Sequence, residues 1–535
     1  MVQQARLKEV QYLREKEVYR KIPRQQAVRM GIPILRSRWV DIDKGDAATP
    51  NYRSRFVAME FNNQAMDGLF ASTPPLEALK LLVSCAATSL KEESAEMKWE
   101  KDFEQMIMVS DIARAFFEAP ATRSIAVELP PEDLDESEVD CVGLLLKSLY
   151  GTRDAAKNFQ EEVKRFLLGL GFTIGKYNTS TFFHAKRNLK LLVHGDDFVS
   201  TGTRKGLYWL KRMIDDRFEA KTTIVGHEKE DVHETRVLNR TIRATKDGWE
   251  LEADQRHAEV IVQMLNLGNA KEVVTPGEHR PWEEEERFGA ELLDGPRATE
   301  FRGIAARANY LAQDRPDLQF SVKEICRTMS NPSVYDRRKV KRLARYLKGN
   351  PRLIYLYNWQ EATSDLNGYS DSDWAGCRRT AKSTSGGALC VGSHLVKSWS
   401  ATQKNITLSS AEAELVAAVR TCSEALGLAQ LAYDWGMPMT AKIFVDSSAA
   451  IGVASRKGSG KLRHVRVGDL WIQELVEEEE VMLRKIQGSQ NIADAFTKYL
   501  SQKTMNEHLH RMNTELRQGR AASGLQLQQD ARQVR

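Results

Sequence analysis

The sequence predicts an α/β and α+β multidomain protein. Its 535 residues exceed what a single hydrophobic core supports, so several domains are expected. Short apolar runs of strand type alternate with amphipathic helical stretches along most of the chain. From Asn367 onward the order is three strands, one long helix, a strand, two helices, a strand and a final helix from Asn491, which is a mixed-sheet pattern.

Residues 1–30 read as a basic, helical extension. From Arg38 to Phe61 two strands are expected, joined by a turn rich in Gly, Pro and Asn. A helix is predicted from Pro75 to about Ser89, because Leu76, Leu79, Leu82 and Val83 recur at helical spacing. Gln105–Ser110 is apolar throughout and suits a buried strand that ends at Asp111. Asp140–Tyr150 is apolar, and Arg153–Leu168 has an amphipathic helical pattern. Thr181–Ala185 and Leu189–His194 form a hairpin around Lys186-Arg187-Asn188, and a second turn, Gly195-Asp196-Asp197, precedes further extended chain. Residues 231–360 mix strands and helices, with a hairpin turn at Lys246-Asp247-Gly248 and a long basic helix from Tyr335 to Lys348. In the block from Asn367, the long helix starts at Ser409, whose hydroxyl and Glu412 make a cap. Beyond about Ser501 the chain is polar, rich in Gln and Arg, and expected to be mobile.

Composition excludes some classes. Hydrophobic residues at 42% and charged residues at 28% are ordinary for a soluble globular protein. The net charge of +5 suits a local phosphate-binding cleft without deciding for one. The Cys residues at 85, 141, 326, 377, 390 and 422 stand far apart with no CxxC pair, which argues against zinc ribbons and a disulfide scaffold. A reducing compartment follows. No leader-like segment is found, and no apolar run approaches the roughly 20 residues that span a bilayer, so a soluble chain with no membrane partner is expected.

The acidic residues carry the chemistry. Asp111 closes one strand and Asp196-Asp197 occupy a hairpin turn. Two carboxylates about 4 Å apart repel by roughly 4 kcal/mol at an effective dielectric of 20. A divalent cation offsets that repulsion, and carboxylate oxygen is the hard ligand magnesium prefers. Two such ions about 3.5–4 Å apart can stabilise both the attacking and the leaving oxygen of phosphoryl transfer. By itself the Asp-Asp dipeptide reads more readily as a solvated turn, the reading given to Asp215-Asp216.

The surrounding motifs add a family resemblance. VSDIARAFFEA (109–119), LLKSLYGTRDAAKNF (145–159), LLVHGDDFVSTG (191–202) and RSRFVA (53–58) resemble, in family order, the reverse transcriptase motifs of copia-type LTR retrotransposon Pol polyproteins. Residues 301–332 and 341–349 resemble that family's connecting region. GYSDSDWAGCRRTAKSTSG, LSSAEAELVAA and NIADAFTK resemble its RNase H domain. The similarity runs from about Arg38 to Leu500.

The resemblance implies a right-hand polymerase of fingers, palm and thumb, followed by a connection and an RNase H-like mixed-sheet domain. It implies fingers and palm over 31–230, thumb and connection over 231–360, RNase H over 361–500, and a polar tail over 501–535. Asp111, Asp196 and Asp197 would hold the polymerase metals, Asp111 and Asp196 being the direct pair. Asp371, Glu414, Asp446 and Asp494 would hold those of RNase H. Each site would take two Mg2+ ions, with Mn2+ as the alternative. Arg53 and Arg55 would clamp the nucleotide phosphates, Phe116 would exclude a ribose 2′-OH, and Gly151 would allow close approach of template and nucleotide. Glu412 is the rival of Glu414. Two residues apart on a helix they diverge by about 200°, so only one faces the metals; Glu412 is assigned to the cap. Asp373 is read as a solvated loop residue, and His464, after Arg463, as a structural histidine.

Implied partners are an RNA template, a DNA primer, the RNA–DNA hybrid and dNTPs, with dimerisation or association with other element-encoded proteins left open. Implied localisation is cytoplasmic, within virus-like particles, with nuclear access open. Departures from the family include His194-Gly195 where Tyr-Val is usual, Asp154 for Gln, Ala156 for Pro, Ser447-Ser448 for Asn-Gln, and no mobile His in IQGSQNIAD. With no protease or integrase signature, a partial, cleaved or degenerate polyprotein is expected. Three functions stay open: an active polymerase–nuclease, a catalytically weakened hybrid-binding protein, and a nuclease whose polymerase half has decayed.

Overall fold

The computed structural model describes residues 1–43, 50–61, 69–88, 105–138, 140–279, 282–460, 464–522 and 524. The turn expected between the first two strands, the end of the predicted helix at Ser89, Arg463 and the last part of the tail lie outside them.

The chain opens with helix α1 (Val2–Glu15) and strand β1 (Tyr19–Pro23). A two-stranded antiparallel ribbon follows, β2 (Ser37–Asp43) and β3 (Tyr52–Ala58), then helix α2 (Leu76–Ala86). After strand β4 (Gln105–Ile112), strand β5 (Cys141–Leu145) returns to pair with β1 inside a four-stranded sheet. The first 30 residues are therefore not a helical appendage. Val10, Leu13, Val18 and Ile22 are buried, so β1 belongs to the fold and the extension expected over 1–30 is corrected.

Helix α3 (Ala155–Gly169) precedes strands β6 (Thr181–His184), β7 (Leu189–His194), β8 (Asp197–Thr203) and β9 (Ala220–Val225). These join β4 in a six-stranded sheet ordered β9-β4-β8-β7-β6, with Thr173–Ile174 at its edge. β4 is buried along its length except at Asp111, as expected of a central strand that packs on both faces. Asp215-Asp216, read as a turn, instead lie in the helix Arg204–Arg217, where Asp215 pairs with Lys211 one turn away.

A third sheet contains β10 (Arg240–Thr245) and β11 (Gly248–Ala253), joined by the two-residue turn Lys246-Asp247. Helix α4 (Val334–Gly349), closed at its start by a Ser333–Asp336 capping box, leads into β12 (Arg352–Asn358) of the same sheet.

The last sheet is ordered β15-β14-β13-β16-β17, from β13 (Asp365–Ser372), β14 (Thr384–Val391), β15 (His394–Thr402), β16 (Thr440–Val445) and β17 (Val481–Lys485). Its long helix α5 (Ser410–Asp434) packs over β13, β14 and β16. Among the described residues α5 is the one helix long and apolar enough to span a bilayer, contrary to the expectation that none is. Half of its most apolar stretch is buried inside the protein, where it serves as a core helix. The helix expected from Asn491 is a 3-10 turn, Ile492–Phe496.

The tail also departs from expectation. Helix α6 (Gln502–Arg511) and strand β18 (Thr514–Arg517) are ordered, and β18 pairs antiparallel with β12, with Tyr355 opposite Thr514. Met505, Leu509 and Met512 are buried. That i, i+4, i+7 stripe is a helix-packing face inside a polar composition, and it corrects the mobile tail predicted from Ser501 onward.

One continuous apolar core runs from α2 through Trp249, Tyr355 and Trp399 to Leu415 and Trp435 of the last unit. His394 anchors the junction from inside it. Its Nδ1 accepts from the Ser84 hydroxyl at 2.9 Å, and its Nε2–H donates to the Asn358 carbonyl at 2.7 Å. Burial pushes its pKa down to about 4, against an ordinary value near 6.5. The unfolded chain takes up a proton below pH 6.5 that the folded chain refuses, so stability falls as pH drops from about 6.5 to 4. We expect a loss of about 2–3 kcal/mol from this group by pH 4.5. Urea unfolding at pH 7 and 4.5 measures it, and His394→Gln must remove that part of the pH dependence.

Candidate active sites

The first acidic cluster arises where β4 emerges from the core. In the ladder, Asp111 lies directly opposite Asp197 of β8 on one side and Lys221 of β9 on the other. Residues opposed in this way have side chains about 4.5–5.5 Å apart at Cβ. His194 pairs with Asp197, leaving Gly195-Asp196 as a two-residue turn. Gly195 has φ +64° while Asp196 is not in the left-handed region, the pattern of a type II′ hairpin, which places glycine first. The departure at this position therefore has a local reason: glycine adopts the turn without strain, whereas the usual β-branched residue would not. The Asp196 carbonyl accepts from the Ile112 N–H at 3.0 Å and fastens the turn to β4. Burial, then the charges of Asp196 and Asp111, push the Asp197 carboxyl up to about 6.

The residues assigned to the nucleotide lie on β3 and in the segments that follow β4 and β5. Arg53 and Arg55 are exposed on one face of β3, with Ser54 and Phe56 turned inward. The Arg55 guanidinium lies 5.1 Å from the ring centre of Tyr150, and that ring lies 5.1 Å from Phe116. Phe116 is half-buried and also contacts Phe159. Gly151 has φ +86°, and a Cβ there would lie 2.0 Å from the Ala58 carbonyl oxygen. Its close approach is thus to the chain's own β3, which the reading from sequence did not foresee.

Asp154, a departure that looked repulsive toward phosphate, turns inward. It accepts from Arg123 at 2.6 Å and from Asn158 at 3.2 Å, and Arg123 also grips Glu60 at 2.8 Å. Burial, the largest influence, raises the Asp154 carboxyl, but the bond to Arg123, the charge of Arg123 and the bond from Asn158 together outweigh it and hold the group below its ordinary range.

Sequence reasoning missed Tyr150, Arg114 and Lys221. Arg114 sits between Asp111 and Phe116 with φ +49°. It donates to buried Glu9 of α1 at 3.0 Å and lies over Tyr12, 3.4 Å from the ring centre. Alternation along the run after Phe218 could have placed Lys221 on the Asp111 face; nothing local signals the Arg114 contact.

The second cluster is tighter. Ligand oxygens of Asp371, Glu414 and Asp446 lie within 4.8 Å of one another, the only such trio of potential metal ligands among the described residues. Asp111, Asp196 and Asp197 do not close to that extent. Asp371 comes from β13, Glu414 from the first turns of α5, and Asp446 from the end of β16, which runs parallel to β13 with Ser370 opposite Val445. Asp494, on the 3-10 turn, is held by Lys498 at 2.8 Å, and its charge reaches Asp371 and Asp446.

Thr497 donates to Asp371, and the Ser372 N–H donates to Glu414 Oε1 at 3.2 Å. Glu414 Oε2 is buried without a hydrogen-bond partner. Burial and then the Asp494 charge push Asp371 up to about 7; burial and then Asp371 push Glu414 up to about 9. Hard oxygen donors, mutual repulsion and an orphaned carboxylate oxygen together fit a divalent cation.

Glu412 turns elsewhere: it accepts from the Leu408 N–H at 2.8 Å and meets His464 Nε2 at 3.0 Å. Ser447 caps the helix that follows Asp446, accepting from the Ala450 N–H at 3.2 Å. Asp373 lies in the loop after β13, as expected, but is not fully solvated. It is half-buried and accepts from the Thr384 N–H.

Comparison with known proteins bears on both clusters. The reverse transcriptase (RNA-dependent DNA polymerase) family matches residues 18–279, crossing both the 30/31 and 230/231 boundaries expected from sequence. The chain is 27% identical over 482 residues to a Retrovirus-related Pol polyprotein from transposon RE1 of Arabidopsis thaliana, covering 88% of this chain and 31% of that protein. It therefore spans about a third of the length of that relative. It is 30% identical over 237 residues to an uncharacterized mitochondrial protein of Arabidopsis thaliana, covering 92% of the latter. A solved foamy viral protease-reverse transcriptase in complex with double-stranded DNA aligns over 86% of this chain and 68% of its own, at 11% identity and a TM-score of 0.20.

Proposed function

Because the chain belongs to the reverse transcriptase family of copia-type retrotransposon Pol polyproteins, we propose that it copies RNA into DNA at one acidic cluster and degrades the RNA of the resulting hybrid at the other. The observation that carries this reading is the presence of two separate carboxylate clusters, on different sheets, each at the end of a central strand.

In this reading the six-stranded sheet is the palm and the β2–β3 ribbon the fingers. The sheet containing β10–β12 and helix α4 form the thumb and connection, and the β13–β17 sheet is the RNase H unit. Asp111, Asp196 and Asp197 hold one set of magnesium ions, and Asp371, Glu414, Asp446 and Asp494 the other. The bound ions supply charge stabilisation for the attacking and leaving oxygens of phosphoryl transfer. Arg55 and Arg53 bind the triphosphate of the incoming dNTP, and Tyr150 orients Arg55 by stacking beneath it. Phe116, braced by Tyr150 and Phe159, excludes a ribose 2′-OH by bulk. Lys498 and Thr497 orient Asp494 and Asp371 from behind. The strain-free Gly195 turn weighs against a decayed polymerase half.

The test is direct. With an RNA template, a DNA primer, dNTPs and magnesium, the protein is expected to extend the primer and to cut the RNA of a labelled hybrid, both activities ceasing in EDTA. Absence of extension and of cutting together would overturn the reading.

A further inference from the structure

Helix α1 bridges the β2–β3 ribbon and the turn that follows β4. On one side Arg6 bonds Asp41 of β2 at 2.7 Å, and α1 packs along β3, the strand that bears Arg53 and Arg55. On the other side Glu9 reaches the segment between Asp111 and Phe116. Its Oε2 accepts from Arg114 Nε at 3.0 Å. The Arg114 guanidinium also lies over the ring of Tyr12, one turn along α1 from Glu9, at 3.4 Å from the ring centre.

Glu9 is 3% exposed, an unusual place for a carboxylate, and the other buried residues of α1 are the apolar Val10 and Leu13. Burial pushes its carboxyl above the ordinary range, against the charge and bond of Arg114 and the charge of Arg55. Its Oε1 has no hydrogen-bond partner among the described residues, so Arg114 carries the hydrogen bonding of this buried group.

Arg114 in turn sits in an uncommon backbone. Its φ of +49° and ψ of 44° are left-handed, a conformation that an L side chain enters at a cost and keeps where its surroundings over-determine it. The Arg114 carbonyl accepts from the Phe117 N–H at 2.8 Å and so begins the 3-10 turn Ala115–Glu118, which carries Phe116. The bend at Arg114 is what takes the chain from the strand of Asp111 into the turn of Phe116. Glycine would make that bend freely; here an arginine makes it, gripped from α1 by an acid and an aromatic ring.

We propose that Glu9, with Tyr12, is a positioning residue for nucleotide selection: by gripping Arg114 it holds the left-handed bend that sets Phe116 against the sugar of the incoming nucleotide. The proposal rests on the polymerase reading above and deepens it by making α1 part of the selection apparatus. Glu9 does not touch the nucleotide; it acts through Arg114.

The test uses the full chain carrying Glu9→Gln, which keeps the size of the side chain and one acceptor oxygen. Helix α1 remains docked through Arg6–Asp41, Arg14–Asp133 and buried Val10 and Leu13, so thermal unfolding and hybrid cleavage are expected to match wild type. In primer extension, KM for dNTP should rise roughly fivefold with kcat within about twofold, and the preference for dNTP over rNTP should fall roughly tenfold. Tyr12→Leu gives a smaller shift of the same kind. In an Arg114→Gly background, where glycine takes the bend and offers no side chain to grip, Glu9→Gln should change neither quantity further. Extension by wild type with no change of KM or preference in Glu9→Gln, or an equal change in both backgrounds, would overturn the role of Glu9 and leave the polymerase reading standing. If wild type extends no primer, the polymerase reading falls. Hydrogen exchange of the Phe117 amide then decides the grip on the bend: roughly tenfold faster exchange in Glu9→Gln supports it, and unchanged exchange overturns it.

Discussion

Glu414→Gln is expected to abolish cleavage of the RNA strand, lowering its rate by about 10³-fold or more, while primer extension persists. Glu412→Gln, two positions away, should cost less than about tenfold, because its carboxylate serves the Leu408 N–H and His464. The asymmetry has a geometric origin. Residues i and i+2 of a helix point about 200° apart, so the face of α5 that carries Glu414 toward Asp371 and Asp446 carries Glu412 away. A second readout separates ligand from scaffold. With no cation bound, a carboxyl pushed up to about 9 takes up a proton on folding at pH 7, a cost that an amide does not carry, and relieving about 1 kcal/mol moves a melting midpoint by about 2–4 °C. In EDTA, Glu414→Gln should therefore melt higher than wild type, and magnesium should stabilise wild type more than the variant. Asp196→Asn supplies the reciprocal case, removing extension and sparing cleavage. Equal loss of cleavage in Glu412→Gln and Glu414→Gln, or a lower melting point for Glu414→Gln in EDTA, would refute the assignment.

What was legible in the sequence was local. The strand pattern around Asp111, the hairpin around Asp196-Asp197 and the cap that separates Glu412 from Glu414 each depend on residues within one turn or one strand. What was not legible depends on distant partners. Asp154 looked hostile to phosphate because Arg123, which neutralises it, is separated by a strand and a loop. The tail looked mobile because β18 gains its backbone partners from β12, more than a domain earlier in the chain. Residues 1–30 looked like an appendage because β1 pairs with β5, and because Glu9 acts on Arg114 through a turn that no local motif marks. Charge and hydropathy report which residues want partners; they do not say where those partners lie.

Gly151→Ala is the substitution with the largest expected effect on the stability of the polymerase half. Its φ of +86° lies where an L side chain is strained, at about 1–2 kcal/mol. The added methyl would also fall 2.0 Å from the Ala58 carbonyl oxygen and 2.6 Å from Val57 Cγ1, a backbone and a strand that cannot yield cheaply. Overpacking of that kind costs about 1–3 kcal/mol, so a total of roughly 2–5 kcal/mol is expected. The first bond to break is the one of 2.7 Å from the Ala58 N–H to the Tyr150 carbonyl, which ties β3 to the segment bearing Tyr150. Releasing it moves Arg55 off the Tyr150 ring and Tyr150 off Phe116, so extension should fall by about 10²-fold or more, as misplacement of about 1 Å does elsewhere. Gly195→Ala is the matched comparison. Its φ is +64° but no atom lies within 4 Å of the new methyl, so it bears only the backbone cost of about 1–2 kcal/mol. Urea unfolding, primer extension and hybrid cleavage on both variants decide the matter. Gly151→Ala should lose extension and keep cleavage, since Asp371, Glu414 and Asp446 sit on another sheet, and a Gly151→Ala protein no less stable than Gly195→Ala would show that β3 does not rest on that glycine.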